Sequence, residues 1–284
     1  MDAAIYENVM HQLAMYIDVS PRAITKEMMD EALNAYDNRE AIEERAYSTM
    51  LCMLIGIDPE NSIAERQLAN EIITPSIHKL DANDFKQNDY YKNIHINPLR
   101  IGEFELCYDE YAPYELFVAG DMHIDAEGKR LASFGFFDEE FRFPAIHENG
   151  REWMAIKPNE ILTMNRPVER AHGKVLTLGL GMGYYTYMAS QKTNVESVTV
   201  VDCSNDAINI FNSEILPQIP NRQKINIINS DAVEYFAQHA NDYDYIFADL
   251  WHDAIDGSPI YKKLKKTEPQ SIEVDYWVEN QLTL

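Results

Sequence analysis

Residues 174–183 read KVLTLGLGMG, and residues 197–202 read SVTVVD. The first begins with an apolar, β-branched run and ends in three alternating glycines. The run predicts a buried strand, and the glycines predict a sharp turn into the helix-compatible stretch YYTYMASQK at 184–192. Glycines suit such a turn because a side chain would keep a ligand from the backbone and from the helix N-terminus. SVTVVD then predicts a second strand of the same kind.

The alternation continues outward. KINII (224–228) and YDYIF (243–247) are two further strands, with DAINIFNSEIL, AVEYFAQHA and SPIYKKLKK as the intervening and following helices. Strand–helix alternation of this type specifies a parallel sheet covered on both faces. The predicted fold class is α/β, Rossmann-like. Its glycines, Gly179, Gly181 and Gly183, follow GxGxG. Tyr184 stands where a dinucleotide fingerprint would place a third glycine, which argues against a dehydrogenase. Asp202 ends the second strand about 21 positions after Gly181, near the ~20-residue spacing at which an acid accepts from ribose hydroxyls. Asp231 and Ala232 follow the third strand; Asp231 suits an adenine amino group, the N-cap of VEYFAQH, or both. Asp249 ends the fourth strand at the edge where ligands bind in open α/β sheets, with Trp251, His252 and Asp253 behind it. Asp249 and His252 are the candidate proton acceptors.

Upstream, residues 1–97 read as a helical domain. Asp37/Glu40 and Ser62/Glu65 have capping-box spacing. The first is expected to open a helix with Ala41, Ile42, Ala46, Met50, Leu51, Met53 and Leu54 biased to one face, ending at Gly56; the second opens a helix expected to stop at Thr74-Pro75. Ser20-Pro21 marks an earlier break. Residues 98–166 read as a small antiparallel β region with a connector, its clearest signal being Asn149-Gly150 between FRFPAIHE and REWMAIK. A second turn is expected at Glu127-Gly128. Residues 167–284 form the nucleotide-cofactor-binding domain.

The chain has 284 residues and a net charge of −23, which repels phosphate backbones and disfavours nucleic acid while suiting a neutral or cationic small molecule. Cys52, Cys107 and Cys203 are scattered, so neither a disulfide framework nor a metal cluster is expected. The longest apolar run, MLCMLIGI at 50–57, falls short of the ~20 residues of a membrane span, and no secretory signal opens the chain. A cytoplasmic protein without a membrane partner is expected; a homo-oligomer is compatible with such a chain.

VLTLGLGMG, VTVVD, NSDA and DYIFADLW, in this order, resemble the successive cofactor motifs of class I S-adenosylmethionine-dependent methyltransferases. The resemblance covers about residues 174–253. It implies that Gly179, Gly181 and Gly183 face the methionine part of S-adenosylmethionine, that Asp202 binds its ribose and Asp231 its adenine, and that Asp249 lies near its amino group or the substrate. It also implies a methyltransferase acting on a small-molecule acceptor. Within that family, the preceding β region and the loop ADLWHDAIDGSPIYKKL look like the spermidine synthase branch, in which decarboxylated S-adenosylmethionine donates an aminopropyl group. Leu180 or Met182 stands where that branch usually carries an acid. Against the family, the domain reads as shortened at its C-terminus, which leaves a non-catalytic cofactor-binding or interaction protein as a third reading.

Overall fold

Five strands form one parallel sheet: β1 (Gly173–Leu178), β2 (Val195–Asp202), β3 (Ile225–Asn229), β4 (Tyr245–Ala248) and β5 (Glu273–Tyr276). In this computed structural model, which describes residues 3–34, 36–126, 128–252 and 254–282, their order is β3-β2-β1-β4-β5. Every pairing is parallel. The order reverses between β1 and β4. Right-handed crossovers therefore send the helices after β1 and β2 to one face and those after β3 and β4 to the other. The interior composition agrees, since Val175, Leu176, Leu178 and all of β4 are buried. The fold is α/β and Rossmann-like, as the strand–helix alternation predicts.

β5 comes from the tail SIEVDYWVENQLTL, where the sequence pattern showed no strand. Asp275 ties it down: one carboxylate oxygen accepts from Arg170 Nη1 at 2.5 Å and the other from the Tyr245 hydroxyl at 2.6 Å. Trp277 donates through its amide to Ala248 O (2.9 Å) and through its indole to Thr163 Oγ1 (2.9 Å). The tail thus adds a fifth strand to a sheet for which four were expected.

The chain divides into two compact units whose limits cross the compositional zones: residues 1–83 with 110–142, and residues 84–109 with 143–284. The first unit contains the N-terminal helices and a three-stranded sheet in which Arg130–Phe136 lies between Ile77–Lys79 and Phe117–Ile124. Tyr47 stacks on Phe136 at 4.1 Å, and its hydroxyl donates to Tyr114 O at 3.1 Å. The Tyr114 hydroxyl donates to the buried Glu43, which Lys79 neutralises at 2.8 Å. Ser62 caps its helix, its hydroxyl accepting from Glu65 N and donating to the Glu65 carboxylate, whereas Asp37 makes no cap at Glu40–Ile42. The helix Glu43–Leu54 buries Tyr47, Ser48, Leu51 and Cys52; Met53 and Leu54, expected on that face, are exposed. The helical run from Ile63 passes through a π-turn at Ala69–Ile73 and ends at Ser76, one residue beyond Thr74-Pro75, where Ile77 becomes extended. Glu127 lies outside the described residues, but the turn beside it closes through the amide of Gly128 donating to Asp125 O.

In the second unit, a small sheet runs in the order Leu99–Ile101, Phe104–Tyr111, Phe141–Glu148, Arg151–Ala155. Asn149 and Gly150, with φ of 52° and 78°, form the hairpin turn. A helix, Pro158–Arg170, leads into β1. No described helix is long and apolar enough to cross a membrane.

Candidate functional site

The carboxyl edge of the parallel sheet is built first by the glycine loop. Gly179 N donates to Val201 O (2.9 Å), and Asp249 N donates to Leu178 O (2.8 Å), so the loop leaves the sheet at the point of strand-order reversal. The loop glycines have φ of 98°, 49° and 72° at Gly179, Gly181 and Gly183. Their surroundings differ. A Cβ on Gly179 would run into the Asp249 carbonyl oxygen, and one on Gly183 into the Phe211 ring. A Cβ on Gly181 would meet only the flexible Met154 side chain, at 3.2 Å. Gly179 and Gly181 line a cavity; Gly183 is not part of its wall. The close approach at Gly183 serves helix packing. Behind the loop, the buried Tyr90 hydroxyl donates to Met182 O at 2.7 Å, and Asn88 donates to the Tyr184 hydroxyl at 2.8 Å.

Asp202 holds the loop from the next strand. One carboxylate oxygen accepts from Leu180 N (2.9 Å) and the other from Ser204 N (2.8 Å). Each oxygen keeps acceptor capacity for a vicinal hydroxyl. Asp231 caps the helix Ala232–His239, its Oδ1 accepting from Glu234 N at 2.9 Å, and it also stands in the cavity wall with Ala232. The cap is therefore real and leaves the second oxygen for a ligand. The whole cavity has a volume of about 520 Å³ and reaches Asp249, Trp251 and His252.

A second cavity, of about 430 Å³, adjoins the first along Met154, Asp249, Trp251 and His252. Glu148 lines both as well, and the other walls of the second are Glu152, Lys157, Asn159, Glu160 and Trp277. Glu160 and Asn159 belong to the first turn of the helix Pro158–Arg170, which sequence reading treated as a connector. Burial pushes the Glu160 carboxyl up to about 8, and the neighbouring Asp249 carboxylate adds to it while Lys157 opposes it. Burial likewise pushes Asp249 up to about 7. The two acids face each other and titrate as a pair. Lys157 is itself engaged by Glu152 at 2.5 Å. Two buried polar atoms of this wall, Asn159 Oδ1 and Trp251 Nε1, have no hydrogen-bond partner among the described residues. Buried polar groups are nearly always paired, so these two mark a place for a polar ligand. His252 is exposed, its amide donating to Asp256 Oδ2 at 3.2 Å, and it borders both cavities. Asp253 lies outside the described residues.

No protein-family model and no curated protein matches the chain. Parts of several solved structures are similar to part of the chain at low identity. Spermidine synthase from Thermotoga maritima is 15% identical with a TM-score of 0.35, over 46% of this chain and 49% of that one. A SAM-dependent methyltransferase from Streptococcus mutans, itself described as putative, is 13% identical with a TM-score of 0.36, over 53% and 50%. An O-methyltransferase from Bacillus cereus, in complex with SAH, is 16% identical with a TM-score of 0.31, over 40% and 53%. The chain spans about half the length of these structures. The Rossmann-like assignment rests on the strand order itself.

Proposed function

We propose that this chain is an S-adenosylmethionine-dependent methyltransferase whose small acceptor carries an amine. One observation carries the reading: Asp249 belongs to two adjoining cavities, one lined by Gly179, Gly181, Asp202 and Asp231 and one walled by carboxylates. The residues of the first cavity fit the cofactor. Asp202 accepts from ribose hydroxyls, Asp231 and Ala232 border the base, and Gly179 and Gly181 let the remainder approach the backbone. S-adenosylmethionine, when bound, supplies an electrophilic methyl on a sulfonium, and sulfur keeps the electron pair of the broken C–S bond. The chain's part is to hold the acceptor nitrogen in line and to take the proton it sheds. Glu160 and Asp249 suit that task because the environment raises their affinity for a proton into the neutral range. Asn159 Oδ1 accepts an N–H from the acceptor.

A second reading is favoured by charge. The first cavity carries Glu148, Asp202, Asp231 and Asp249 against Lys263 as its basic member. Such a wall suits decarboxylated S-adenosylmethionine, whose aminopropyl chain ends in a cation, as well as it suits the carboxylated form.

Thermal-shift titration with S-adenosylmethionine, S-adenosylhomocysteine and decarboxylated S-adenosylmethionine tests both. A rise in Tm with the first two, and methylated product from an amine panel, supports methyl transfer. A preference for the decarboxylated cofactor selects aminopropyl transfer. Binding without turnover of any amine, hydroxyl or thiol supports the non-catalytic protein, and no binding at all removes the cofactor site.

A further inference from the structure

On the small sheet, Cys107 and Asp109 stand two residues apart on the strand Phe104–Tyr111 and so share one of its faces. His147 stands on the neighbouring strand, Phe141–Glu148. Pairing of the two strands brings together residues about forty positions apart in sequence. The Cys107 sulfur, a carboxylate oxygen of Asp109 and a ring nitrogen of His147 all lie within 4.8 Å of one another, and each side chain is half-buried. His147 Nε2 and Asp109 Oδ2 are 2.7 Å apart.

A tetrahedral zinc ion, with bonds of about 2.3 Å to sulfur and about 2.0–2.2 Å to nitrogen or oxygen, spaces its donors roughly 3.4–3.6 Å apart. The His147–Asp109 contact would open by less than about 1 Å and the sulfur would close by at most about 1.3 Å, shifts that side-chain torsions supply while two hydrogen-bonded strands hold the backbone. The donor set decides the metal. One sulfur, one nitrogen and one oxygen suit a borderline-soft transition ion, whereas magnesium and calcium take oxygen donors. Cysteine spacing alone conceals this cluster, because no CxxC or His-rich tract marks it.

We propose that Cys107, Asp109 and His147 bind a single divalent ion of the zinc class. Three protein donors leave the fourth position to water or a small external ligand, the arrangement that keeps a metal accessible. The proposal is independent of the transfer reaction and stands or falls separately.

The test uses the full chain, stripped with a chelator and titrated with Co²⁺ as the spectroscopic probe, then with Zn²⁺ in competition. The expected result is one equivalent bound, with tetrahedral d–d bands and a thiolate-to-cobalt charge-transfer band that Zn²⁺ abolishes. That band disappears in Cys107→Ser and persists in Cys203→Ser, and Asp109→Asn, which keeps the side-chain shape, weakens binding by about 10-fold or more. Melting of each metal-free variant at the wild-type temperature shows that the sheet is intact. A spectrum without the charge-transfer band, a band that survives Cys107→Ser, or binding indifferent to Asp109→Asn overturns the site.

Discussion

Asp202 and Asp249 each end or follow a central strand of the same parallel sheet, at the same edge, yet they live in opposite electrostatic worlds. Asp202 accepts one backbone amide on each oxygen, Leu180 N and Ser204 N, so its negative charge is met by dipoles wherever it turns inward. Asp249 is placed against a second acid, Glu160, and burial raises both. The first arrangement fixes the carboxylate in place through two amide donors and suits a binding group. The second keeps a proton within reach of neutral pH and suits a group that exchanges one. Residue type and strand position are the same; the neighbours assign the role.

The largest effect is expected where the two regions touch. Gly179 adjoins the Asp249 carbonyl so closely that a Cβ has no room, and its φ of 98° is one that L-residues rarely adopt. Gly179→Ala should therefore destabilise the chain by about 3–4 kcal/mol, overpacking against backbone added to the cost of a positive φ. Denaturant unfolding measures it. A variant as stable as wild type would break the comparison at its root, since the loop and the β4 end would not be packed as described.

The acid pair gives the next effect, and its sign is fixed. Glu160 rises from 4.5 to about 8 and Asp249 from 3.8 to about 7, so between those limits the folded chain holds protons that the unfolded chain has released. Stability is then greatest at the acid end of this window, falls as pH rises through it, and levels above about 8. Unfolding curves at about pH 5 and about pH 8.5 should show that loss in wild type and a smaller one in Glu160→Gln. A small diamine at the higher pH should recover part of it by holding the pair ionised, and a neutral diol of the same length should not. Equal slopes in wild type and variant would show that the pair does not titrate as argued.

The two regions also differ in how far the sequence disclosed them. Gly179, Gly181, Asp202, Asp231 and Asp249 were legible because strand, turn and helix follow one another within a few residues, and turn chemistry is local. Glu160 was not. It comes from a helix before β1, and only the folded chain brings its first turn to the carboxyl edge; in sequence, PNEI reads as an ordinary helix start. β5 was hidden for a related reason. EVDY alternates acids with apolar residues and is short, and it becomes a strand through Arg170 and Tyr245, which fix Asp275 from far away in sequence. Gly183 shows the converse: a glycine correctly placed in the motif whose close contact is Phe211 and not the cavity.

The remaining two predictions separate anchoring from contact within the cofactor cavity. Asp202→Ala removes a ligand acceptor and also frees two backbone amides, so it should weaken cofactor binding by roughly 10- to 100-fold and cost about 1–3 kcal/mol of stability. Isothermal titration and unfolding, measured on the same variant, would sink the anchoring role if stability were unchanged and the binding role if affinity were. Gly181→Ala is the gentler probe. Its new methyl meets only the flexible Met154 side chain, so the main cost is holding alanine at a φ of 49°, about 1 kcal/mol. Because Gly181 belongs to the cavity wall, that methyl also intrudes on the space a ligand would fill, and affinity should fall more than stability does. If instead stability falls and affinity holds, Gly181 serves the turn alone, and the cofactor must approach the backbone at Gly179, where Asp249 already closes one side.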